Sequence, residues 1–470
     1  MENKLKKTKI NNNKQKYTLN MPSHDILSYW LSEFMYYPDV YNMKQTHKCF
    51  NVPIYQFNFE SEQSINFKRL CEKDNESIET YYFDSYRFCM DHQHKEINFF
   101  KKAKIQKFEF HSGFNQHIND FLPCFHQMNI ETLSFNYDFD KSLPNNLPNT
   151  ITTIDLSSSK YDHVLPDKLP NQLKHLKFDP SYNQPLPENL PETLEHIVFC
   201  ESYDKPLPKS LPQGLKSLTF GKNYKQPFPN NLPQSLEEID FICYSWYNSL
   251  LPDSLPKSLK IITFGYDYDK ELPKKLPNGL KQINFGHDYN QPLPDDLPDS
   301  IEIIKFGCEY DQPLPKKLPS NLRVMKFGHG WNSEVSECWT TFSETEFECR
   351  SSCFNQKLPE NLPQSIEYLH FGNEYNRPLP HKLPCSLKKL KFCGDFNQPL
   401  PNDLPDSIEH LKFGGSYKQK LPKKLPSCLK MIELFEHTIK SVMGKRYEII
   451  NDHLHQQKIN LKIKVKVLIL

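Results

Sequence analysis

A recurring pattern of apolar and proline positions runs through most of the chain. Each period begins at an aromatic residue, continues through two Leu-Pro pairs and ends in an apolar run that alternates with polar residues, as in YNQPLPDDLPDSIEIIKFG at 289–307. The step between successive aromatic residues is 21 residues almost throughout. Because a self-similar period of roughly 20 to 29 residues is typical of solenoids, we predict a repeat solenoid with one coil per period.

The end of each period predicts a short β-strand. In the period that starts at Tyr289, Ile304 and Phe306 alternate with Ile303 and Lys305, so the first pair points into the coil and the second pair points outward. Stacked coils are expected to join these strands into one parallel β-sheet. The proline-rich half supplies the return segment, because proline ends a strand, lacks an N–H group and favours an extended backbone. Gly follows the strand phenylalanine in seven periods, which suits a tight exit turn.

The position after the aromatic residue is Asn or Asp in most periods, with Lys225 and Lys418 as exceptions. A short polar side chain at such a position hydrogen-bonds to the backbone of its own turn, and stacked coils would line these side chains up in a ladder. We interpret the position as structural rather than metal-binding, because its neighbours are Gln and Lys rather than further carboxylates.

The pattern sets the boundaries of the repeat array. Residues 137–434 hold about 14 units of this kind. The unit at 331–353 has lost its prolines, but Val335 and Trp339 fall where the two Leu-Pro leucines belong, so we interpret it as a degenerate repeat rather than an insertion. Residues 105–136 keep the apolar strand spacing with a single proline, Pro123, and are predicted to form divergent first repeats.

The segments outside the array are predicted to cover its ends, because a solenoid needs capped terminal coils. Residues 53–104 are assigned to a linker and an N-terminal cap. Residues 435–470 are assigned to a C-terminal cap, in which KINLKIKVKVLIL alternates lysine with apolar residues as a strand does. Residues 1–17 are basic and polar and are predicted to be a disordered tail.

A change of composition marks residues 18–52 as a separate small helical domain. Ile26, Leu27, Trp30, Leu31 and Phe34 recur at the spacing of one helix face. A Pro-Asp pair then breaks the pattern before a second short helix.

The repeat residues resemble a known family. The pattern Y-N-Q-P-L-P, then L-P-x-S-L, then L-x-F-G closely resembles the FNIP repeat, which is similar to leucine-rich repeats and is found in social amoebae and giant viruses. The resemblance implies a leucine-rich-repeat-like (LRR-like) solenoid that binds other proteins rather than one that catalyses a reaction.

The helical segment resembles an F-box. It has a Leu-Pro-like opening, an Ile-Leu helix, a Trp-Leu pair, a Pro-Asp break and the ending THKCF. An F-box docks the Skp-type adaptor of a cullin–RING ubiquitin ligase, so the resemblance implies this adaptor and a cullin as partners, through a helix-in-groove contact. The adaptor-binding residues it implies are Met21, Pro22, Ile26, Leu27, Trp30 and Leu31. The alternative is that this segment is only a helical cap for the solenoid.

The outward strand positions predict a second partner-binding surface. The middle coils place apolar residues there and the later coils place basic ones, which favours an acidic segment of a target protein. The alternative is that the lysines only keep an exposed sheet soluble. The candidate residues are Ile261, Ile303, Lys305, Val324, Lys326, Tyr368, His370, Lys389, Lys391 and Lys412. Nucleic acid is not expected, because it needs phosphate contacts and aromatic stacking, and Tyr368 is the one large ring in this set.

Composition and motifs narrow the function classes. The chain has 58 basic and 57 acidic residues, which argues against a general polyanion binder. Its 13 cysteines are odd in number and contain no CxxC pair, which favours reduced thiols in the cytoplasm, with the nucleus not excluded. The start of the chain has no apolar core for a signal peptide, and no segment suits a bilayer span.

No motif of an enzyme, cofactor site or metal site is present. Loose clusters such as Cys338, Cys349 and Cys353 match no standard zinc spacing. The sequence therefore predicts a non-enzymatic substrate-recognition adaptor of an SCF-type ubiquitin ligase without a cofactor. The alternative is an interaction scaffold that has no link to a ligase.

Overall fold

The computed structural model describes residues 78–83, 104–110, 114–122, 124–242, 244–328, 352–435, 442 and 464–468. These residues form a parallel β-solenoid of about 14 coils, which confirms the predicted fold class for the array. The tail at 1–17 and the F-box-like segment at 18–52 lie outside the described residues.

In the part of the chain that the structure describes, seventeen short strands make up one sheet. They are β1 (Ile78–Phe83), β2 (Lys104–Phe110), β3 (Asn129–Phe135), β4 (Thr153–Asp155), β5 (His175–Lys177), β6 (His196–Val198), β7 (Ser217–Phe220), β8 (Glu238–Phe241), β9 (Ile261–Thr263), β10 (Gln282–Asn284), β11 (Ile303–Lys305), β12 (Val324–Lys326), β13 (Tyr368–Phe371), β14 (Lys389–Phe392), β15 (His410–Lys412), β16 (Met431–Phe435) and β17 (Lys464–Leu468). Each strand pairs in parallel with the next one in chain order, so that Ile303 lies between Gln282 and Val324.

In the described residues, helical structure is found between β2 and β3 and at Val442, after β16. A single turn, α1 (Ile118–Phe121), is followed by a 3-10 turn at Phe125–Gln127. These turns occupy the return path of a coil whose sequence keeps only one of the two Leu-Pro pairs, Leu122-Pro123. Within the described residues, no helix is long or apolar enough to cross a bilayer.

A column of aromatic rings fills the centre of the solenoid. The rings of Tyr268, Tyr289 and Tyr310 are fully buried and stack on one another with centroids 6.1 and 6.0 Å apart. The strand phenylalanine that precedes each tyrosine packs closer still, with the ring centroid of Phe285 3.9 Å from that of Tyr289. Each stacked pair adds roughly 0.5–1.5 kcal/mol beyond the burial of apolar area. One coil alone has no neighbour for these rings, so stability comes from stacking.

The predicted Asn/Asp ladder is present, and it joins neighbouring coils. Asn290 Oδ1 accepts hydrogen bonds from the Asp311 N–H (3.0 Å) and from Gln312 Nε2 (3.1 Å) of the next coil. The Asn290 N–H donates in turn to Asp269 Oδ1 of the coil before (2.9 Å). The side chain thus accepts a hydrogen bond from a backbone N–H of the next coil. The sequence analysis expected a hydrogen bond to the backbone of its own turn instead.

The exit-turn glycines are required by close approach between coils. A Cβ atom on Gly286 would lie 1.6 Å from the Gly265 carbonyl oxygen, and one on Gly307 would lie 1.7 Å from the Gly286 oxygen. Only Gly328, among the described glycines, has a positive φ, of 71°. The backbone freedom expected of a glycine in a tight turn is therefore needed at Gly328. At the other exit-turn glycines, the close packing of adjacent turns leaves no room for a side chain.

The interpretation of residues 331–353 as a degenerate coil of the stack is wrong. β12 pairs directly with β13, and the Tyr310 ring stacks on Phe354 with centroids 6.0 Å apart. The Asn/Asp ladder also continues directly from one of these coils to the other, since the Asn355 N–H donates to Asp311 Oδ1 (2.8 Å). The coils on either side are in direct contact, so no coil fits between them. Residues 329–351 join these two coils along the chain and lie outside the described residues; we call them the insertion.

The sheet extends beyond the repeats at both ends. β2 and β3 pair in parallel with each other, and β3 pairs with β4, so the segment predicted to form divergent first repeats contributes two strands to the sheet. β1 pairs with β2 through Ile78 and Ile105, so the region assigned to a linker and cap contributes a strand. At the other end β17 pairs with β16, which confirms the strand predicted from the lysine-apolar alternation.

Candidate partner-binding surface

The outward side chains of the strands form two straight rows, which we call the strand face. Because the strands are parallel and paired in register, equivalent positions of successive coils lie side by side, as predicted. The first row is Thr153, His175, His196, Ser217, Glu238, Ile261, Gln282, Ile303, Val324, Tyr368, Lys389, His410 and Met431. The second row is Asp155, Lys177, Val198, Thr219, Asp240, Thr263, Asn284, Lys305, Lys326, His370, Lys391, Lys412 and Glu433.

A stacked histidine pair marks the early part of the strand face. The rings of His175 and His196 are parallel, with centroids 4.8 Å apart, and His196 Nδ1 lies 2.7 Å from Ser217 Oγ. Burial lowers the pKa of both histidines, and for His175 the neighbouring His196 lowers it further. Both rings are therefore neutral at neutral pH, and this part of the face is polar without being cationic.

A chain of hydrogen bonds follows in the central coils. Gln282 Nε2 donates to Asn284 Oδ1 (3.0 Å), and Asn284 Nδ2 donates to Thr263 Oγ1 (3.0 Å). The Thr263 hydroxyl hydrogen-bonds to the carboxylate of Asp240. Burial, and then the charge of Glu238, raise the pKa of Asp240 to about 6. The sequence analysis did not find this network, because its members have no shared residue type.

The predicted apolar members of the face lie in the first row of the same region. Ile261, Ile303 and Val324 are half-buried, so each presents part of its side chain outward. Gln282 stands between the two isoleucines in this row. The row thus offers a short apolar strip beside the polar network.

A cluster of cations surrounds Tyr368 in the later coils. The Nζ atoms of Lys326, Lys391 and Lys389 lie 4.8, 5.7 and 5.8 Å from the centre of its ring. Cation–π contacts of this kind are worth roughly 0.5–1 kcal/mol at exposed sites. Nearby, His370 Nε2 is 3.3 Å from Cys393 Sγ. The structure therefore brings three of the predicted basic residues together around one aromatic ring.

Two predicted members of the surface are less accessible than the sequence suggested. The exposed fraction is 2% for Lys391 and 8% for Lys412. Glu433 Oε2 lies 3.9 Å from Lys412 Nζ, and Glu433 Oε1 lies 3.0 Å from His410 Nε2. The expectation that both lysines are open to a partner is therefore wrong. Lys389 is exposed, whereas Lys305, Lys326 and His370 are half-buried, so these residues remain the candidates for direct contact.

One edge of the strand face carries a ladder of charges that the sequence analysis missed and that alternates in sign except between Lys260 and Lys281. Glu367 Oε1 lies 2.9 Å from Arg323 Nε of the coil before, and Oε2 lies 2.8 Å from Lys388 Nζ of the coil after. Arg323 and then Lys388 lower the pKa of Glu367. The column reads Lys174, Glu195, Lys216, Glu237, Lys260, Lys281, Glu302, Arg323, Glu367, Lys388, Glu409 and Lys430. The ladder could have been found in the sequence by comparing, in every period, the residue just before the first outward strand position, such as Glu302 before Ile303.

The described residues offer little for metal or thiol chemistry. None of their groups of three or more His, Cys, Asp or Glu could hold a metal ion. Cys353 Sγ lies 3.7 Å from Glu309 Oε2, and burial, followed by the charge of Glu309, raises its pKa to about 11. A raised pKa disfavours the thiolate that nucleophiles and metal ligands require.

Several solved structures are similar to this chain. The chain is similar to CroV588, a circular leucine-rich-repeat protein (24% identity, 78% of this chain, 73% of the other, TM-score 0.33), and to YopM from Yersinia enterocolitica (17%, 84%, 94%, TM-score 0.35). It is also similar to a chain of the Drosophila Toll–Spatzle complex (12% identity, 83% of this chain, 55% of the other, TM-score 0.50). No curated protein matches the chain.

Family comparison accounts for more than half of the chain. The FNIP Repeat family matches residues 161–202, 203–244, 247–288, 268–309, 289–330, 354–395 and 396–436. The matches stop at 330 and resume at 354, in agreement with the direct stacking of the coils on either side of the insertion. The chain therefore belongs to the FNIP repeat family, and its repeats form an LRR-like solenoid.

Proposed function

We propose that the protein is a non-catalytic adaptor that binds a target protein on its strand face and docks a ubiquitin ligase through residues 18–52. The repeat solenoid itself is suited to protein–protein interaction. The observation that carries the proposal is the strand face, in which successive coils align apolar, polar and basic side chains in two rows. Solenoids commonly use such continuous surfaces for binding.

The chemistry of the strand face defines the target segment. Ile261, Ile303 and Val324 provide an apolar strip, and Lys305 and Lys326 continue the second row beside its later part. The target is a protein segment with apolar side chains followed by acidic ones. The charges set its orientation and its rate of association more than its affinity, and the apolar strip provides the buried contact.

The ligase link rests on the F-box-like pattern upstream of the repeats. The apolar positions from Met21 to Leu31 suit a helix that lies in the groove of a Skp-type adaptor, which would connect the protein to a cullin. One chain would then hold the target on its solenoid and the ligase on residues 18–52. This function places the protein inside the cell, in the cytoplasm or the nucleus.

A second candidate is an interaction scaffold without a ligase. The strand face supports it equally, because the face needs no adaptor to bind a target. The two functions differ at residues 21–34, where only the ligase adaptor needs an accessible apolar helix face.

The test is co-isolation of the Skp-type adaptor and the cullin from cells. The intact protein is compared with an Ile26→Ala/Leu27→Ala variant and with a matched Ser28→Ala/Ser32→Ala control, whose serines fall on the opposite side of the predicted helix. We expect the intact protein and the control to retain both partners and the Ile26/Leu27 variant to lose them. Failure of the intact protein to recover either partner would reject the ligase link and leave the scaffold.

A further inference from the structure

One coil of the solenoid exposes large apolar side chains on its exit turn. Tyr244, Trp246 and Leu250 are 41, 40 and 65% exposed. Five large hydrophobic side chains are exposed among the described residues, and these are three of them. Their concentration in one coil marks a surface away from the strand face, since exposed apolar clusters on soluble proteins commonly mark interaction sites.

The exposure follows from a longer exit turn. The step from Tyr224 to Tyr247 is 23 residues, two more than the usual period. The turn is nevertheless held in place, because the Trp246 N–H donates to the Lys222 carbonyl (2.7 Å) and the Ser245 N–H to the Ile242 carbonyl (2.9 Å). Ser245 is fully buried under the turn. The exposed rings therefore project from a fixed backbone.

Opposite charges flank these rings along the solenoid axis. On the coil before, Lys222 and Lys225 place their Nζ atoms 4.9 and 4.7 Å from the centre of the Trp246 ring. On the two coils after, Asp267 and Asp288 occupy the position before the coil tyrosine that Trp246 occupies in its own coil. The order along this edge is cation, aromatic ring, anion.

The acidic side of this edge is accessible. Asp288 Oδ1 lies 2.6 Å from His287 Nδ1, and 42% of the Asp288 side chain is exposed. Burial, and then the charge of Asp288, raise the pKa of Asp267. The Tyr266 ring lies between those of Tyr244 and His287, at centroid distances of 6.4 and 4.4 Å, which continues the aromatic surface into the acidic side.

We propose that this edge binds a second copy of the chain through a two-fold interface centred on Trp246. A two-fold axis reverses the order of the coils, so Lys222 and Lys225 of each copy face Asp267 and Asp288 of the other. The aromatic rings meet in the middle. Such a self-complementary patch is what an isologous dimer requires. Nucleic acid fits less well, because its phosphates would meet the carboxylates beside the rings. The inference does not depend on the ligase adaptor or the target.

The first test is the mass of the full-length protein by analytical ultracentrifugation over a range of concentrations. We expect a dimer that dissociates on dilution and a Trp246→Ala variant whose dissociation constant is raised at least 10-fold, as for a central aromatic anchor. Tyr137→Ala is the matched control, because Tyr137 is 62% exposed and carries Lys160 at 4.0 Å from its ring, but lies on another coil. A wild-type protein that stays monomeric would overturn the proposal, and so would equal loss in the control.

Charge reversal supplies a second test that does not depend on the tryptophan. Lys225→Glu alone and Asp267→Lys alone each place like charges across the interface, so each variant is expected to be monomeric. A mixture of the two variants restores both opposite-charge contacts and is expected to form a one-to-one dimer. If the mixture stays monomeric, or if either variant alone dimerises like the wild type, the proposed two-fold arrangement is wrong.

Discussion

Single polar side chains give the strand face its chemistry. Asp240 ends the hydrogen-bond chain from Gln282, and burial together with Glu238 raises its pKa to about 6. A raised pKa means that the folded protein binds this proton more tightly than the unfolded chain does. The resulting stabilisation is complete below the unfolded pKa and is lost as the pH rises through about 6.

The Asp240→Asn variant should therefore remove part of the pH dependence of stability. Wild type loses the stabilisation by protonated Asp240 as the pH rises, and the variant does not. The free energy of unfolding of the variant minus that of wild type is therefore expected to grow by roughly 1–3 kcal/mol between pH 4 and pH 8, at about 1.4 kcal/mol per pKa unit. Urea unfolding followed by circular dichroism at both pH values measures the difference. Asp295→Asn, which removes an exposed carboxylate on the return side, controls for the loss of one charge. Equal pH dependence of Asp240→Asn and wild type would contradict this reading of the site.

The sequence predicts the direction of side chains at this scale better than their burial. The period-two alternation places Asp240, Lys391 and Lys412 on the outward face, and the structure agrees. Their accessibility does not follow from the alternation, because it depends on which distant groups pack over each side chain. The low exposure of Lys391 and Lys412 is a property of the assembled solenoid.

At the scale of the coil, side-chain acceptors join each coil to the next. Asn290 satisfies one backbone N–H and one side-chain amide of the following coil. Asn and Asp are interchangeable at this position, as Asp269 and Asp311 show in the adjacent coils. A sequence pattern cannot separate a bond to the same turn from a bond to the next coil, because a short acceptor serves both.

The Asn290→Ala variant should test the contribution of one ladder step. Removing the acceptor leaves the partly buried Asp311 N–H without its partner, which costs roughly 1–3 kcal/mol. Asn290→Asp is the matched control and should remain close to wild type, because it keeps Oδ1. The midpoints of urea unfolding compare the three proteins. Similar midpoints for the Ala and Asp variants would mean that the ladder does not stabilise the stack.

At the scale of the whole molecule, the stack of coils is continuous across the insertion. A Cβ atom on Gly328 would lie 2.5 Å from Ser352 Cβ, so the two ends of the insertion are adjacent. Without residues 329–351 the chain reads FGSCF, with the same spacing as FGHDY at 285–289. The insertion is 23 residues long, close to one period, and Trp331 falls where an aromatic residue is expected. For these two reasons the sequence pattern of the insertion resembles that of a coil, and the sequence analysis interpreted it as one.

Deletion of residues 329–351 should leave the solenoid folded. We expect the free energy of unfolding to stay within about 1 kcal/mol of wild type, because removing a long loop changes loop-closure entropy only slightly. Deletion of 341–363 is the length-matched control and should be strongly destabilising, because it removes Phe354 from the aromatic column together with Leu358 and Leu362. Thermal unfolding by circular dichroism distinguishes the two. Equal damage from both deletions would show that the insertion is part of the fold.

The central claim is that the strand face is the surface that binds the target protein. The variant Ile261→Gln/Ile303→Gln removes the apolar strip and should keep the fold, because Gln282 already occupies the same row between the two isoleucines. The control Lys209→Gln/Lys274→Gln alters two exposed residues of the return segments.

The most direct measurement is quantitative mass spectrometry of the proteins that co-isolate from cells with wild type, the strand-face variant and the return-side control. We predict that at least one protein bound by wild type is lost from the strand-face variant and kept by the control. If the strand-face variant and wild type recover the same proteins in the same amounts, the strand face is not the binding surface.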